Sequence, residues 1–189
     1  MVIKTDASFA GFGAVKGEDW LAGLWQCRPL PSYLDIAFLS NHFLLCPALG
    51  SSLVENINFI KLIAAVIAIL VWAPTLTGSR VVLYIDNQST VSFLTKCTTK
   101  NIAAIAWLKK LFYASSKHNF DVTACHISGA NNVLPDALSR LVESQSHMRM
   151  FLTDFPYSLP WSDLPINSFS YPFVTSAKDG RQATSQRDG

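Results

Sequence analysis

Val81-Val82-Leu83-Tyr84-Ile85-Asp86-Asn87 is the run from which the architecture of this chain is read most directly. Its first five residues are apolar or aromatic without polar alternation, the pattern of a central strand buried on both faces. That strand delivers Asp86 at its C-terminal end. Immediately upstream, residues 57–73 are almost continuously apolar, interrupted by Asn58 and Lys61 and stopped by Pro74. Asn56 or Asn58 can cap a helix there by accepting from free first-turn amides. Such a helix belongs between protein layers. Further upstream, residues 2–7, 11–15 and 20–26 read as three strands. The Gly-containing or acidic turns between them are short enough for an antiparallel meander.

Downstream of Asp86, residues 87–96 and 101–117 show helical spacing of apolar residues. Residues 120–127 form another strand and 133–142 a last helix. A meander followed by strands alternating with helices predicts an α/β fold: a five-stranded mixed sheet flanked by helices. Between the meander and the apolar helix, residues 28–55 are broken by Pro29, Pro31, Pro47 and Gly50. They are expected to be a loop or insertion without a core strand. The main domain is therefore placed at residues 1–143. An aromatic and proline-rich extension follows at 144–175, and a polar tail, expected to be disordered, at 176–189.

The composition agrees with one domain and a tail. The chain has 189 residues, half of them hydrophobic and only 15% charged, which excludes a wholly disordered protein. Fifteen Lys and Arg against thirteen Asp and Glu leave a net charge of +2, so any binding of nucleic acid must be local. The four cysteines, Cys27, Cys46, Cys97 and Cys125, lack metal-site or disulfide-scaffold spacing and are expected to be reduced, mostly buried thiols. Met1-Val-Ile-Lys-Thr-Asp6 shows no signal-peptide pattern, the expectation for a fragment of a longer chain. A spanning helix needs about 20 apolar residues, so the shorter, lysine-bearing run at 57–73 is expected to be a core helix with no membrane partner.

Three short signatures stand in order along the chain. They are Thr5-Asp6-Ala7-Ser8 with Gly11-Phe-Gly13-Ala14, then Tyr84-Ile85-Asp86-Asn87, then His126-Ile-Ser-Gly129 with Asn132-Val-Leu-Pro-Asp136-Ala-Leu-Ser-Arg140. Taken singly, each aspartate is a turn residue as readily as a ligand. Their combination is more specific. Asp6 and Asp86 meet if the first and fourth strands are neighbours in one sheet, and Asp136 approaches from the last helix.

In that order and spacing, residues 2–143 resemble the ribonuclease H domain of retrotransposon reverse transcriptases of the Ty3/gypsy and DIRS kind. The resemblance implies a ribonuclease H-like fold and a site where four carboxylates hold two Mg2+ ions that hydrolyse the RNA strand of an RNA/DNA hybrid. It implies Asp6 as the bridging ligand, Asp86 as a ligand of one ion and Asp136 as a ligand of the other. His126 takes the position of a loop histidine that assists product release or proton transfer. The implied partners are an RNA/DNA hybrid or other nucleic acid, reverse transcriptase and other polyprotein domains, in a cytoplasmic or nuclear setting. Lys96, Lys100, Lys109, Lys110 and Arg140 are candidates for contacts to the nucleic-acid backbone, although each also reads as a solvated helix face.

Clustered carboxylates suit that chemistry, because two hard cations must together orient water, neutralise a phosphate and stabilise the leaving oxygen. One position departs from the family. Where its first long helix carries a glutamate, Ile57-Asn-Phe-Ile-Lys61-Leu-Ile-Ala64 carries a lysine. Two like charges at ~4 Å repel by about 4 kcal/mol at an effective dielectric of 20, and a divalent ion roughly doubles that. Glu55 lies on another face of the helix, or before it, and is a poor substitute. The expectation is a ribonuclease H-like domain with impaired hydrolysis, in which Lys61 pairs with Asp6 or Asp86. The rival is a non-catalytic nucleic-acid-binding or architectural domain on the same fold, and a third reading is a membrane-associated protein built on the apolar helix.

Overall fold

The computed structural model describes residues 1–25, 43–45, 56–141 and 143–154. Three strands open the chain, β1 (Val2–Ala7), β2 (Gly11–Lys16) and β3 (Asp19–Leu24), followed by a short β4 (Phe43–Leu45). Helix α1 (Ile57–Trp72) leads through a 3-10 turn (Ala73–Leu76) into β5 (Arg80–Ile85). Helices α2 (Gln88–Lys96) and α3 (Ile102–His118), strand β6 (Asp121–His126) and helices α4 (Val133–Ser139) and α5 (Gln145–Asp154) complete the order.

The sheet runs β4-β3-β2-β1-β5-β6. β1, β2 and β3 form the antiparallel meander, while β5 pairs parallel to β1 and β6 parallel to β5. This is the expected α/β, ribonuclease H-like arrangement with its five strands. A sixth departs from expectation: β4 lies inside the stretch read as a loop and pairs parallel with the outer edge of β3. Three residues are too few to show a period, and the register comes from the partner strand.

Side-chain alternation divides the sheet into two faces. Phe12, Ala14 and Leu21 join Ile3, Leu83 and Ile85 in the main core against α1. The opposite face of the meander takes α4. At Gly13 a Cβ would lie 2.3 Å from the Leu138 Cβ and 2.5 Å from the Pro135 carbonyl oxygen, so the helix rides directly on the strand backbone. Helix α1 is buried along most of its length, from Phe59 to Trp72. Its span is long and apolar enough to cross a membrane, but most of it is enclosed by the sheet and its neighbouring helices. The Asn56 side chain caps it by accepting from the Asn58 and Phe59 amides.

Other boundaries shift for physical reasons. β5 is fully buried only at Val81, Leu83 and Ile85, while Val82 and Tyr84 are half-covered, so one face is sealed rather than two. α4 is shorter than its apolar spacing implied, because the Arg140 amide turns back to the Ala137 and Leu138 carbonyls. α5 forms at the start of the presumed extension; the rest of that extension and the polar tail lie outside the described residues. The described cysteines are less buried than expected. Cys97 is exposed in a left-handed helix cap and Cys125 half-buried on an edge strand; Cys27 and Cys46 lie outside the described residues.

Candidate functional site

The parallel pairing of β1 with β5 sets Thr5 opposite Ile85, so each strand presents its aspartate one residue later at the same edge of the sheet. Asp6 also pairs with Gly13, which places its side chain on the face that α4 covers. From the other face Lys61, one turn into α1, reaches both acids. Its Nζ lies 2.6 Å from the Asp6 Oδ1 and 2.6 Å from the Asp86 Oδ1. Asp6 is only 2% exposed, and the Lys61 and Asp86 side chains are 12% and 20% exposed. This is an enclosed ion triplet rather than a surface pair.

Electrostatics follow from the enclosure. Burial pushes the Asp6 carboxyl up to about 7 from an ordinary 3.8; Lys61 and the Ala7 amide oppose the rise and Asp86 adds to it. Burial works against the charge of Lys61, yet Asp6 and Asp86 together hold its ammonium above the ordinary 10.5. Lys61 therefore keeps its proton near neutral pH, and Asp6 takes one up far more readily than an ordinary carboxyl.

Among the described residues Asp136 makes no hydrogen bond to Lys61; its charge partner is on its own helix. Its Oδ1 accepts from the Arg140 Nε at 2.8 Å, one helical turn on, and Arg140 also reaches Glu143 at 3.4 Å. The bond to Asp136 raises the Arg140 guanidinium further above its ordinary range, against burial. The link from α4 to Asp6 is Ser139. Its Oγ donates to the Asp136 carbonyl at 2.9 Å and makes a long 3.5 Å contact to the Asp6 Oδ2.

His126 ends β6 in register with Ile85 and is exposed; no hydrogen bond or ion pair joins it to the three aspartates among the described residues. The turn that follows it does approach the site, since a Cβ on Gly129 would lie 3.9 Å from the Asp86 Oδ2. Lys96, Lys100 and Lys109 stand exposed on α2, its C-terminal loop and α3. Lys110 lies 4.4 Å from the centre of the Trp107 ring, and burial lowers its pKa.

Several positioning residues escaped the sequence reading. The Asn87 Nδ2 donates to the Asn58 Oδ1 at 2.8 Å, and the Thr90 Oγ1 donates to the Asn58 carbonyl at 3.0 Å. These bonds lock the start of α2 to the start of α1 beside Asp86. The Asn132 Nδ2 donates to the Thr5 carbonyl at 3.0 Å, and the Ser8 Oγ donates to the Ser139 carbonyl at 2.8 Å. Only the Asp136–Arg140 pair carried a local signal, its i, i+4 spacing on one helix.

Two divalent ions require several hard oxygen donors with no fixed cation among them. Here an ammonium holds one oxygen of each paired acid, and Asp136 is engaged by a guanidinium. Among the described residues no group of three or more His, Cys, Asp or Glu is arranged to hold a metal. The donor set as it stands does not fit a two-metal centre. Comparison with protein-family models and with curated proteins finds no match for the chain.

Proposed function

We propose that this chain is a ribonuclease H-like domain of a retroelement reverse transcriptase in which hydrolysis of RNA/DNA hybrids is impaired by the lysine at position 61. The observation that carries the reading is the single Lys61 ammonium set 2.6 Å from both Asp6 and Asp86, at the adjoining ends of two parallel strands. A charge already fixed at that point does electrostatically what a metal would do, but it has no open coordination site and cannot activate water. A divalent ion brought to ~4 Å from it meets a repulsion on the order of 8 kcal/mol at an effective dielectric of 20, so Mg2+ binds weakly. The partners in this reading are an RNA/DNA hybrid or other nucleic acid and the neighbouring polyprotein domains, in the cytoplasm or nucleus and away from membranes.

The rival form of the same reading is a non-catalytic nucleic-acid-binding domain that keeps the fold for architecture, and the exposed Asp136–Arg140 bond is compatible with either. Incubation of a labelled RNA/DNA hybrid with the protein and Mg2+ tests both. The expected result is no cleavage by the native chain and measurable cleavage by Lys61→Glu. Rapid cleavage by the native chain would refute the impairment. A silent Lys61→Glu variant that binds Mg2+ would leave the non-catalytic form.

A further inference from the structure

From residue 87 to residue 120 the chain carries five lysines and no aspartate or glutamate, although its overall charge is only +2. That local excess is built into α2, α3 and the loop between them. Helix α3 turns Ala104, Leu108, Leu111 and Ala114 inward, where they join the same core as α1. Its outer side presents Ile102, Lys109, Tyr113 and Lys117, spaced by seven, four and four residues and hence in one row. Ile102 is 84% exposed and Tyr113 70%. The lysines that flank Tyr113 lie ~12 Å apart along the helix at 1.5 Å per residue.

Among the described residues none of Lys96, Lys100, Lys109 and Lys117 forms an ion pair. Their charge faces water without compensation, and on α3 Lys109 and Lys117 flank the exposed ring of Tyr113. We propose that this outer face of α3 binds single-stranded nucleic acid, with Lys109 and Lys117 following the phosphates and Tyr113 stacking on a base. The proposal rests on the nucleic-acid reading above only for the class of partner, and it places the strand on a surface other than the Lys61 triplet.

Alternating cation and aromatic is the pattern of sequence-tolerant single-strand binding, because every base offers a π-face. An anionic membrane is the weaker match. A helix lying on a lipid surface must bury a continuous apolar side there; on α3 that side is spent on the core, leaving only Ile102, Phe112 and Tyr113 outside, interleaved with lysines.

Fluorescence anisotropy of a labelled oligo-dT or oligo-U with the full chain tests the proposal. Binding is expected to weaken as salt rises. The double variant Lys109→Glu/Lys117→Glu should weaken it at least tenfold, and Tyr113→Ala roughly tenfold, the loss of one stacked base. Lys4→Glu, on the opposite sheet face, serves as the charge-matched control and should have far less effect. Circular dichroism of each variant should match the native chain.

Equal binding by the native chain and the double variant would overturn this surface while leaving the nucleic-acid reading intact. Binding of phosphatidylserine vesicles or polyglutamate as tight as that of the oligonucleotide would overturn it as well. Oligonucleotide binding that depends on Tyr113, together with a Lys61→Glu variant that neither binds Mg2+ nor cleaves, would sink the ribonuclease reading and keep this one.

Discussion

Asp6 and Asp86 lie at the same level of two adjacent parallel strands, and each gives one carboxylate oxygen to the same Lys61 ammonium at 2.6 Å. Two acids so placed would repel each other, and the lysine is what makes their proximity tolerable. The relationship is structural before it is functional.

Removal of the lysine should therefore be costly. Lys61→Met leaves two enclosed carboxylates without a counter-ion and is expected to destabilise the fold by about 3 kcal/mol, the lower end for breaking a buried pair, because Asp6 can take up a proton. Lys96→Met, on an exposed helix end, should change stability by less than about 0.5 kcal/mol. Urea denaturation of both variants checks the contrast, and equal midpoints would remove the triplet from the list of stabilising contacts.

Lys61→Glu should convert the site from self-neutralised to cation-dependent. Without divalent ions it should melt below the native chain, since three acids then crowd one corner, and millimolar Mg2+ should restore part of the loss. The native chain should melt at the same temperature in EDTA and in Mg2+. A thermal shift of the native chain by Mg2+ as large as that of the variant would contradict this account of the corner.

The raised pKa of Asp6 has a definite sign. Between the ordinary 3.8 and about 7 the folded state holds a proton that the unfolded chain has released. The Asp6 contribution to stability is thus full below about pH 4 and is lost as pH rises through about 7. Asp6→Asn should remove that part of the slope, so the stability difference between native and variant should change across pH 4.5–8. The raised Lys61 pKa acts higher, its contribution persisting through pH 10.5 and declining only above that. Urea midpoints measured at several pH values in both proteins provide the check, and parallel curves would count against it.

Gly13→Ala tests the seam between sheet and last helix. The new Cβ would fall 2.3 Å from the Leu138 Cβ and 2.5 Å from the Pro135 oxygen, and backbone cannot yield as a flexible side chain does. A loss of roughly 1–3 kcal/mol is expected from overpacking. Faster hydrogen exchange at the Ser139 and Arg140 amides should accompany it. Unchanged exchange there would mean that the helix accommodates the methyl group.

What was legible in the sequence was what local periodicity and caps encode. The apolar run ending at Asp86, the asparagine cap before α1 and the meander all reappear close to their expected bounds, whereas the caps at Asn87 and Asn101 were not read. The pairing of Lys61 with acids was readable only through the resemblance, which marks position 61 as facing Asp6 and Asp86. β4 was not, since an edge strand of three residues takes its form from its neighbour. The bond of Asp136 to Arg140 has only the weak signal of an i, i+4 pair, which holds no information until the helix that carries it has formed. The Asn58, Asn87 and Thr90 bonds depend on how α1 and α2 cross, which no single segment states.

The bond from the Ser8 hydroxyl to the Ser139 carbonyl joins partners 131 positions apart in the chain, and Asn132 meets Thr5 across 127. During synthesis the first strands thus leave the ribosome long before the helix that seals them exists. Contacts of such range make for slow closure, and until then the Gly-lined backbone of the meander lies open to mispairing. A chain cut just before Val133 should accordingly aggregate rather than settle, even though every strand of the sheet would already be present.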